Sequence, residues 1–216
     1  MKLYGSMRSR FGFLNWWPGD TKDEIFIGAI LTQQTTWTNV EKAISNLKKS
    51  KALSVRALSR METSIIEKLV RPSGYYRQKA KRLKLLSSTI MSEYGSLEGL
   101  FGLGQEALRK TLLGMKGIGP ETADSIMLYA AGKPTFVIDA YTKRIMYRVF
   151  GTPANIDYDS LKEVFESALP KNPALYKDFH AQFVELGKSH CKTKPLCNHC
   201  PAFGLCKYAG QVPTGH

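Results

Sequence analysis

The sequence predicts an all-α protein in which about ten short helices are joined by tight turns. Apolar residues recur three or four positions apart along most of the chain, which is the spacing of one face of a helix. Glycine and proline separate the helical stretches, as in segments 71–74, 102–104 and 151–153. Residues 134–138 are rich in β-branched and aromatic side chains, but the stretch is short and flanked by helical patterns. We therefore expect an extended connector there.

The predicted helices can be placed in order along the chain. Asp20 or Thr21 can cap a helix over about 22–32, because short polar side chains accept hydrogen bonds from free first-turn amides. Thr36 or Thr38 can begin the next helix. Helical spacing then recurs at Ala80, Leu83, Leu86 and Ile90, at Tyr158, Leu161, Phe165 and Ala168, and at Tyr176, Phe179, Phe183 and Leu186.

The chain is strongly basic. Its 216 residues contain 31 Lys and Arg against 18 Asp and Glu, which gives a formal net charge of +13 and a pI near 9.6. Such a balance indicates a polyanionic partner, and nucleic acid is the commonest one. A basic surface that only contacts solvent is the alternative.

The sequence contains no pattern typical of export or of membrane insertion. The N-terminal segment has basic residues but no apolar stretch behind them, so we expect no signal peptide. The longest apolar run, residues 25–31, is too short to span a bilayer. These features predict a protein without a membrane segment that resides in the cytoplasm and, in a prokaryote, associates with the nucleoid.

All four cysteines of the chain lie in one short segment, as C-x5-C-x2-C-x5-C at Cys191, Cys197, Cys200 and Cys206. Thiolates this close together can hold an iron–sulfur cluster, bind zinc or form two disulfides. The expected intracellular location disfavours disulfides. The residues alone leave the iron–sulfur and zinc alternatives open.

A glycine hairpin joins two helical patterns at Lys116, Gly117, Ile118 and Gly119. Glycines allow close approach of the backbone, and the amides that open the following helix can bind an anion. Lys116 adds a positive charge. The segment is therefore a candidate contact for a DNA phosphate, and an ordinary interhelical turn is the alternative.

An aspartate, Asp139, follows the extended connector at the start of the next predicted helix. Aspartate is a favoured helix N-cap, so this position has a structural explanation on its own. A capping role and a chemical role are compatible, because a capped carboxylate is held rigidly. Asp139 is therefore the candidate catalytic residue.

With these features together, the chain resembles the endonuclease III-like, helix-hairpin-helix superfamily of DNA glycosylases along nearly its whole length. The resemblance rests on the hairpin, Asp139 and the terminal four-cysteine loop. It implies an all-α fold of two lobes with the active cleft between them. A six-helix lobe would span 21–134, and a second lobe would combine 1–20 with 135–216.

The resemblance also implies a cofactor and a partner. In this family a comparable loop, here 191–206, holds a [4Fe–4S] cluster with a structural role, although the first interval here is one residue shorter than the family's. Zinc remains the alternative. The implied partner is double-stranded DNA that contains a damaged base, bound by a monomer through Gln34, Lys116, Gly117, Ile118 and Gly119. In this interpretation Gln34 fills the hole that the extruded nucleotide leaves.

The same resemblance implies a hydrolytic reaction without strand cleavage. Bifunctional members carry a lysine that forms a Schiff base, and Glu121 occupies the matching position here. We therefore expect a monofunctional glycosylase in which Asp139 stabilises positive charge on the sugar and helps position water. The expected base pocket comprises Trp16, Trp17, Pro18, Gln33, Trp37 and Glu121.

A closer similarity concerns the branch that removes 3-methyladenine and related alkylpurines. It rests on five segments, which are Trp16-Trp17-Pro18, Leu31-Thr32-Gln33, residues 73–83, Gly117-Ile118-Gly119-Pro120-Glu121 and Phe179-His180. It implies a cationic alkylated purine as substrate. The alternatives are an endonuclease III-type glycosylase with AP lyase activity, a mismatch thymine/uracil glycosylase, and a non-catalytic DNA-binding module.

Overall fold

The computed structural model describes residues 1–14 and 16–209, and within them the secondary structure is helical, with no β-strand. The prediction of an all-α fold is confirmed. The α-helices are α1 (Lys2–Phe11), α2 (Lys22–Leu31), α3 (Trp37–Lys49), α4 (Val55–Arg60), α5 (Thr63–Val70), α6 (Tyr76–Glu93), α7 (Leu97–Phe101), α8 (Gln105–Gly114), α9 (Pro120–Ser125), α10 (Ala140–Phe150), α11 (Tyr158–Ala168) and α12 (Pro173–Ser189). Short 3-10 turns cover Arg71–Ser73 and Phe203–Leu205, and a π-helical segment, Ile126–Ala130, extends α9. In the described part of the chain, none of these helices has the length and apolar character needed to cross a membrane.

Local sequence signals explain several helix boundaries. The Thr21 side chain accepts a hydrogen bond from the Glu24 amide at 3.1 Å and caps α2, as predicted. Thr36 directly precedes the first residue of α3. Residues 134–138 form neither helix nor strand, as expected of a connector.

Packing divides the chain into two compact units. One unit combines Met1–Trp17 with the chain from Pro134 onward, and the other is Pro18–Lys133. The Pro18–Lys133 unit contains eight α-helices, α2 to α9, where the family resemblance implied six. Three of the eight, α4, α7 and α9, are helices of only five or six residues.

The Pro18–Lys133 unit is built around α2 and α6. Phe26, Ile27 and Ile30 of α2 are completely buried, so this helix is apolar on most of its circumference. The 18-residue α6 packs against α4 and α5 and buries Leu83 and Ile90. The turn after α2 carries Gln34, and the hairpin between α8 and α9 carries the other candidate DNA-contacting residues of this unit.

The other unit is held together by an aromatic cluster on α11, α12 and the connector. Phe136 stacks on Phe165 with ring centroids 4.1 Å apart, and Phe179 stacks on Phe183 at 5.0 Å. The two pairs meet edge to face, which is a favoured geometry for aromatic rings. This cluster fixes the connector immediately ahead of α10.

Candidate active site

Asp139 caps α10 and is held by two hydrogen bonds from one residue. The amide and the hydroxyl of Thr142 both donate to Asp139 Oδ1, at 2.7 and 2.8 Å. The second carboxylate oxygen, Oδ2, lies 3.5 Å from His180 Nε2. The Asp139 side chain is only 12% exposed. The carboxylate therefore has a fixed orientation in a largely water-excluded position.

The surroundings of Asp139 favour its ionised form. Burial alone would raise the pKa of Asp139, but contact with His180 and the hydrogen bonds from Thr142 hold that pKa below its ordinary value. The 3.5 Å contact with His180 lies at the outer limit of a hydrogen bond, so we attribute its effect chiefly to electrostatics. Asp139 is consequently a carboxylate, rather than a carboxylic acid, at neutral pH.

His180 was not among the predicted site residues, although the pair Phe179-His180 contributed to the family resemblance. Its side chain is 3% exposed on α12, and its ring lies edge-on to Trp16 with centroids 5.4 Å apart. Trp16 in turn lies edge-on to Trp17 at 5.4 Å. The ring of Trp16, the imidazole of His180 and the carboxylate of Asp139 thus lie side by side in that order. A histidine on the buried face of a long helix is the sequence signal that could have pointed to it.

The two glycines of the hairpin serve different purposes. Gly117 has φ of +91°, and a Cβ built there would lie 2.0 Å from Arg82 Nε. Gly119 has an ordinary φ of −95°, and a Cβ there would meet nothing within 4 Å. Ile118 between them is buried, whereas Lys116 is exposed. The left-handed backbone and the approach of Arg82 therefore favour glycine at 117, and Gly119 leaves open space beside an exposed backbone.

Gln33 is placed against the hairpin by its amide. Its Nε2 donates to Gly117 O and to Thr122 Oγ1, both at 3.1 Å, and its Oε1 accepts a hydrogen bond from Arg82 Nη1. The family resemblance assigned Gln33 to the base pocket. The structure gives its amide a role in fixing the hairpin, which the sequence did not indicate.

Gln34, the next residue, differs from Gln33 in exposure and in backbone conformation. Its side chain is exposed between α2 and α3, and its φ is +54°. A non-glycine residue in this left-handed region costs free energy and is often found at functional sites. The conformation suits a residue that extends away from the protein.

Pro18 and Trp37 line one open groove of the Pro18–Lys133 unit. The groove also contains three carboxylates, of Asp20, Glu24 and Glu41. Lys48 Nζ lies 2.8 Å from Glu24 Oε1 and 3.2 Å from Asp20 Oδ2. This groove is thus acidic, although the chain as a whole is strongly basic.

Glu121, in the first turn of α9, is exposed.

The four cysteines line one shared pocket, which is otherwise lined mostly by apolar residues. All four are free thiols. Burial is the main factor that raises the pKa of the Cys197 and Cys200 thiols, and the charge of the neighbouring cysteines adds to it. Among the described residues, no three Cys, His, Asp or Glu side chains are arranged to hold a single metal ion. The donor set of four thiols in a shared, largely apolar cavity nevertheless fits an iron–sulfur cluster.

Two arginines of α10 fasten the cysteine loop to the helical unit. Arg144 Nε donates to Cys191 O at 2.8 Å. Arg148 donates to Lys192 O at 2.6 Å, to Thr193 O at 3.0 Å and to Cys191 Sγ at 3.4 Å. The loop that contains the thiols is therefore connected directly to the helix that Asp139 caps.

The chain matches the family model of the HhH-GPD superfamily of base excision DNA repair proteins over residues 27–171. It is 42% identical over 207 residues to a Methanocaldococcus jannaschii protein with the provisional name of DNA repair glycosylase, and the alignment covers 95% of this chain and 94% of the relative. It is 28% identical over 189 residues to the thymine-DNA glycosylase of Aeropyrum pernix, with 85% and 81% covered. A solved structure of H. pylori 3-methyladenine DNA glycosylase, bound to 1,N6-ethenoadenine, is 31% identical with a TM-score of 0.75, and covers 87% of this chain and 96% of that one.

Proposed function

This chain belongs to the HhH-GPD superfamily of base excision DNA repair proteins, and we propose that it is a monofunctional DNA glycosylase. The family resemblance that the hairpin, Asp139 and the cysteine loop indicated is thereby confirmed. The observation that carries the proposal is the largely buried carboxylate of Asp139, which is held by Thr142 and lies beside His180. Helix capping explains the hydrogen bonds from Thr142, but it does not require His180 beside the other carboxylate oxygen, and a catalytic role for Asp139 accounts for that contact.

In the proposed reaction Asp139 acts where positive charge develops. The bond between the base and C1′ of the deoxyribose breaks, the bonding electrons leave with the base, and the sugar becomes cationic. Asp139 Oδ1 is engaged by Thr142, so Oδ2 faces the developing charge and accepts a proton from the water whose oxygen bonds to C1′. His180, 3.5 Å from Oδ2, acts through Asp139 by keeping its carboxyl ionised and oriented.

The absence of lyase chemistry follows from Glu121. A lysine at this position could attack the sugar and form an imine, whereas a carboxylate cannot. Glu121 is exposed in the first turn of α9, at the end of the hairpin. We assign it to shaping or hydrogen-bonding the extruded base. The proposed product is an intact strand that carries an abasic site.

The proposed substrate is an alkylated purine with positive charge, such as 3-methyladenine. Trp16, Trp17 and Trp37 offer aromatic faces, and a cation gains more from such faces than a neutral base does. Pro18 and Trp37 share their groove with carboxylates, which also favours a cation. The name of the H. pylori neighbour supports this choice. The A. pernix thymine-DNA glycosylase makes a mismatched thymine the second candidate.

We assign a [4Fe–4S] cluster to the cavity formed by the four cysteines. Cys191, Cys197, Cys200 and Cys206 would provide one thiolate each. When bound, the cluster would cross-link a short loop that Arg144 and Arg148 already fasten to α10. Zinc is the alternative occupant. A visible absorption spectrum distinguishes the two, because bound zinc does not absorb visible light and an iron–sulfur cluster does. Iron analysis of protein purified without oxygen decides between the two.

DNA binding is assigned to the hairpin and to Gln34. The net charge of +13 and the exposed Lys116 support phosphate contacts that are independent of sequence, and Gln34 would fill the hole left by the flipped nucleotide. Affinity for undamaged duplex should then fall steeply as salt rises. The Lys116→Ala protein should bind more weakly to every sequence with a slightly shallower salt dependence.

The test of the proposal is a panel of duplexes that each carry one lesion. We expect free 3-methyladenine to appear faster than uracil or thymine is released from mismatches with guanine. Strand breaks should appear only after alkaline treatment. Release of thymine or uracil alone would overturn the substrate assignment, and release of no base from any duplex would overturn the enzymatic assignment.

A further inference from the structure

Two of the cations on helix α6 point away from solvent, and the proposed mechanism does not use them. Lys79 and Arg82 are three residues apart, which places them on the same side of the helix. Lys79 is buried, with 3% exposure, and Arg82 is half-buried. Both side chains contact residues that are distant in sequence, Leu31 and Gln33, so each connects α6 to another part of the unit.

Lys79 joins two turns through backbone oxygens. Its Nζ donates to Leu31 O at 2.8 Å and to Ser73 O at 2.6 Å. Leu31 ends α2 immediately before the turn 32–36, which we call the Gln34 turn. Ser73 begins the segment 73–75, which we call the Tyr75 turn. One ammonium group thus holds the starting points of two turns.

The two turns share an unusual backbone. Gln34 has φ of +54° and Tyr75 has φ of +43°, although neither is glycine. Tyr75 is also 63% exposed, so an aromatic ring faces solvent from a left-handed position. Strain of this kind persists only where neighbouring contacts maintain it, and exposed aromatic rings can stack on nucleobases.

Arg82 extends the same network to the hairpin. It donates to Gln33 Oε1, and Gln33 donates to Gly117 O and Thr122 Oγ1. Gly117 leaves the space that the guanidinium of Arg82 occupies. The Gln34 turn, the Tyr75 turn and the hairpin are therefore all fastened to one helix through Lys79 and Arg82.

A purely structural explanation does not account for Lys79 well. Its partners are carbonyl oxygens, and the other charged group that faces it is the guanidinium of Arg82, which is a like charge. Burial, and then Arg82, lower the pKa of Lys79 to about 8. A buried ammonium without an anionic partner is costly compared with an apolar side chain of similar size.

We propose that Lys79 and Arg82 are positioning residues that hold the Gln34 turn, the Tyr75 turn and the hairpin in the mutual arrangement needed to open the DNA duplex. The proposal rests on the proposed function, because it assumes that the target nucleotide is extruded. It predicts a separation of effects. Loss of either cation should impair base extrusion more than it impairs general attraction to DNA or the chemical step.

The test uses the whole protein and a duplex with a fluorescent adenine analogue at the target position, whose emission rises when it leaves the base stack. Lys79→Met and Arg82→Met are compared with Lys81→Met, which removes one charge from an exposed position on the same helix. We expect Lys79→Met and Arg82→Met to lower the extrusion equilibrium about tenfold, or about 1.4 kcal/mol, beyond the Lys81→Met effect. All three proteins should bind undamaged duplex to a similar extent, and excision from single-stranded DNA should be unchanged.

The readouts separate this inference from the proposed function. Equal extrusion by Lys79→Met and Lys81→Met, at equal folded fraction, would overturn the positioning role. If the wild-type protein extrudes the analogue but releases no base from any substrate, the glycosylase assignment fails while the positioning role stands. If Lys79→Met does not fold, Arg82→Met carries the test, because it leaves the buried ammonium in place and removes only the link to Gln33.

Discussion

The hairpin glycines allow the sharpest test of how this fold supports function. In Gly117→Ala the new Cβ would lie 2.0 Å from Arg82 Nε and 2.5 Å from Arg82 Cζ, at a φ of +91°. Arg82 must therefore move and lose its hydrogen bond to Gln33. In Gly119→Ala the new Cβ meets nothing within 4 Å, at a φ of −95°. The two substitutions add the same atom two residues apart.

The expected changes in the free energy of unfolding differ in sign between the two variants. For Gly117→Ala, the left-handed backbone costs roughly 1–2 kcal/mol. Loss of a hydrogen bond to a charged group costs roughly 1.5–3 kcal/mol more. The reduced entropy of the unfolded chain returns about 0.4–1 kcal/mol, which leaves a net loss of roughly 2–4 kcal/mol. For Gly119→Ala only that entropy term applies, so the protein should be as stable as the wild type or slightly more stable.

The assay is thermal unfolding followed by circular dichroism, combined with duplex binding by fluorescence anisotropy. Gly117→Ala should lower the midpoint by roughly 5–15 °C. Gly119→Ala should leave the midpoint near the wild-type value and still weaken duplex binding about tenfold, because its methyl group occupies the space proposed for a phosphate. A Gly117→Ala protein of wild-type stability would refute the steric reasoning. Wild-type binding by Gly119→Ala would refute the assignment of the phosphate site.

Three further predictions concern other parts of the molecule. His180→Phe removes a contact that lowers the pKa of Asp139, so burial should raise that pKa and move the acid limb of the single-turnover pH profile to higher pH. An unmoved limb would exclude His180 from the mechanism. Cys200→Ser should lower iron content, visible absorbance and the unfolding temperature, and stoichiometric zinc without iron in the wild type would contradict the cluster. The pKa of Lys79 is lowered from 10.5 to about 8 in the folded protein, so between these pH values the unfolded state binds more protons than the folded state. The free energy of unfolding of the wild type should therefore increase as the pH is raised through that range. Lys79→Met should lack this rise, and an identical slope in urea titrations of both proteins would show that Lys79 is not the group responsible.

Features that depend on local sequence were predictable here. Helical periodicity and the cap at Thr21 gave the start of α2, and the apolar segment before Asp139 was recognised as a connector. The N-cap geometry of Asp139 follows from residue type and position alone. These features require only contacts between residues a few positions apart.

Features that depend on distant contacts were not predictable. Gly117 and Gly119 look equivalent in the sequence, and only the approach of Arg82 from α6 distinguishes them. The family resemblance placed Gln33 in the base pocket, whereas contacts with residues far along the chain bind its amide to the hairpin. The helical pattern could mark His180 as buried, but it does not indicate that the side chain meets Asp139 of another helix.

The central claim is that Asp139 enables release of a damaged base by hydrolysis. It is tested most directly by measuring free base released from methylated duplex in a single turnover by wild type and by Asp139→Asn. The substitution keeps an oxygen that can accept the hydrogen bonds from Thr142, so fold and DNA affinity should be retained. We predict rapid release of 3-methyladenine by the wild type, a loss of at least about a hundredfold in the variant, and no borohydride-trapped adduct in either. Undiminished release by Asp139→Asn, or efficient trapping of the wild type on DNA, would contradict the account.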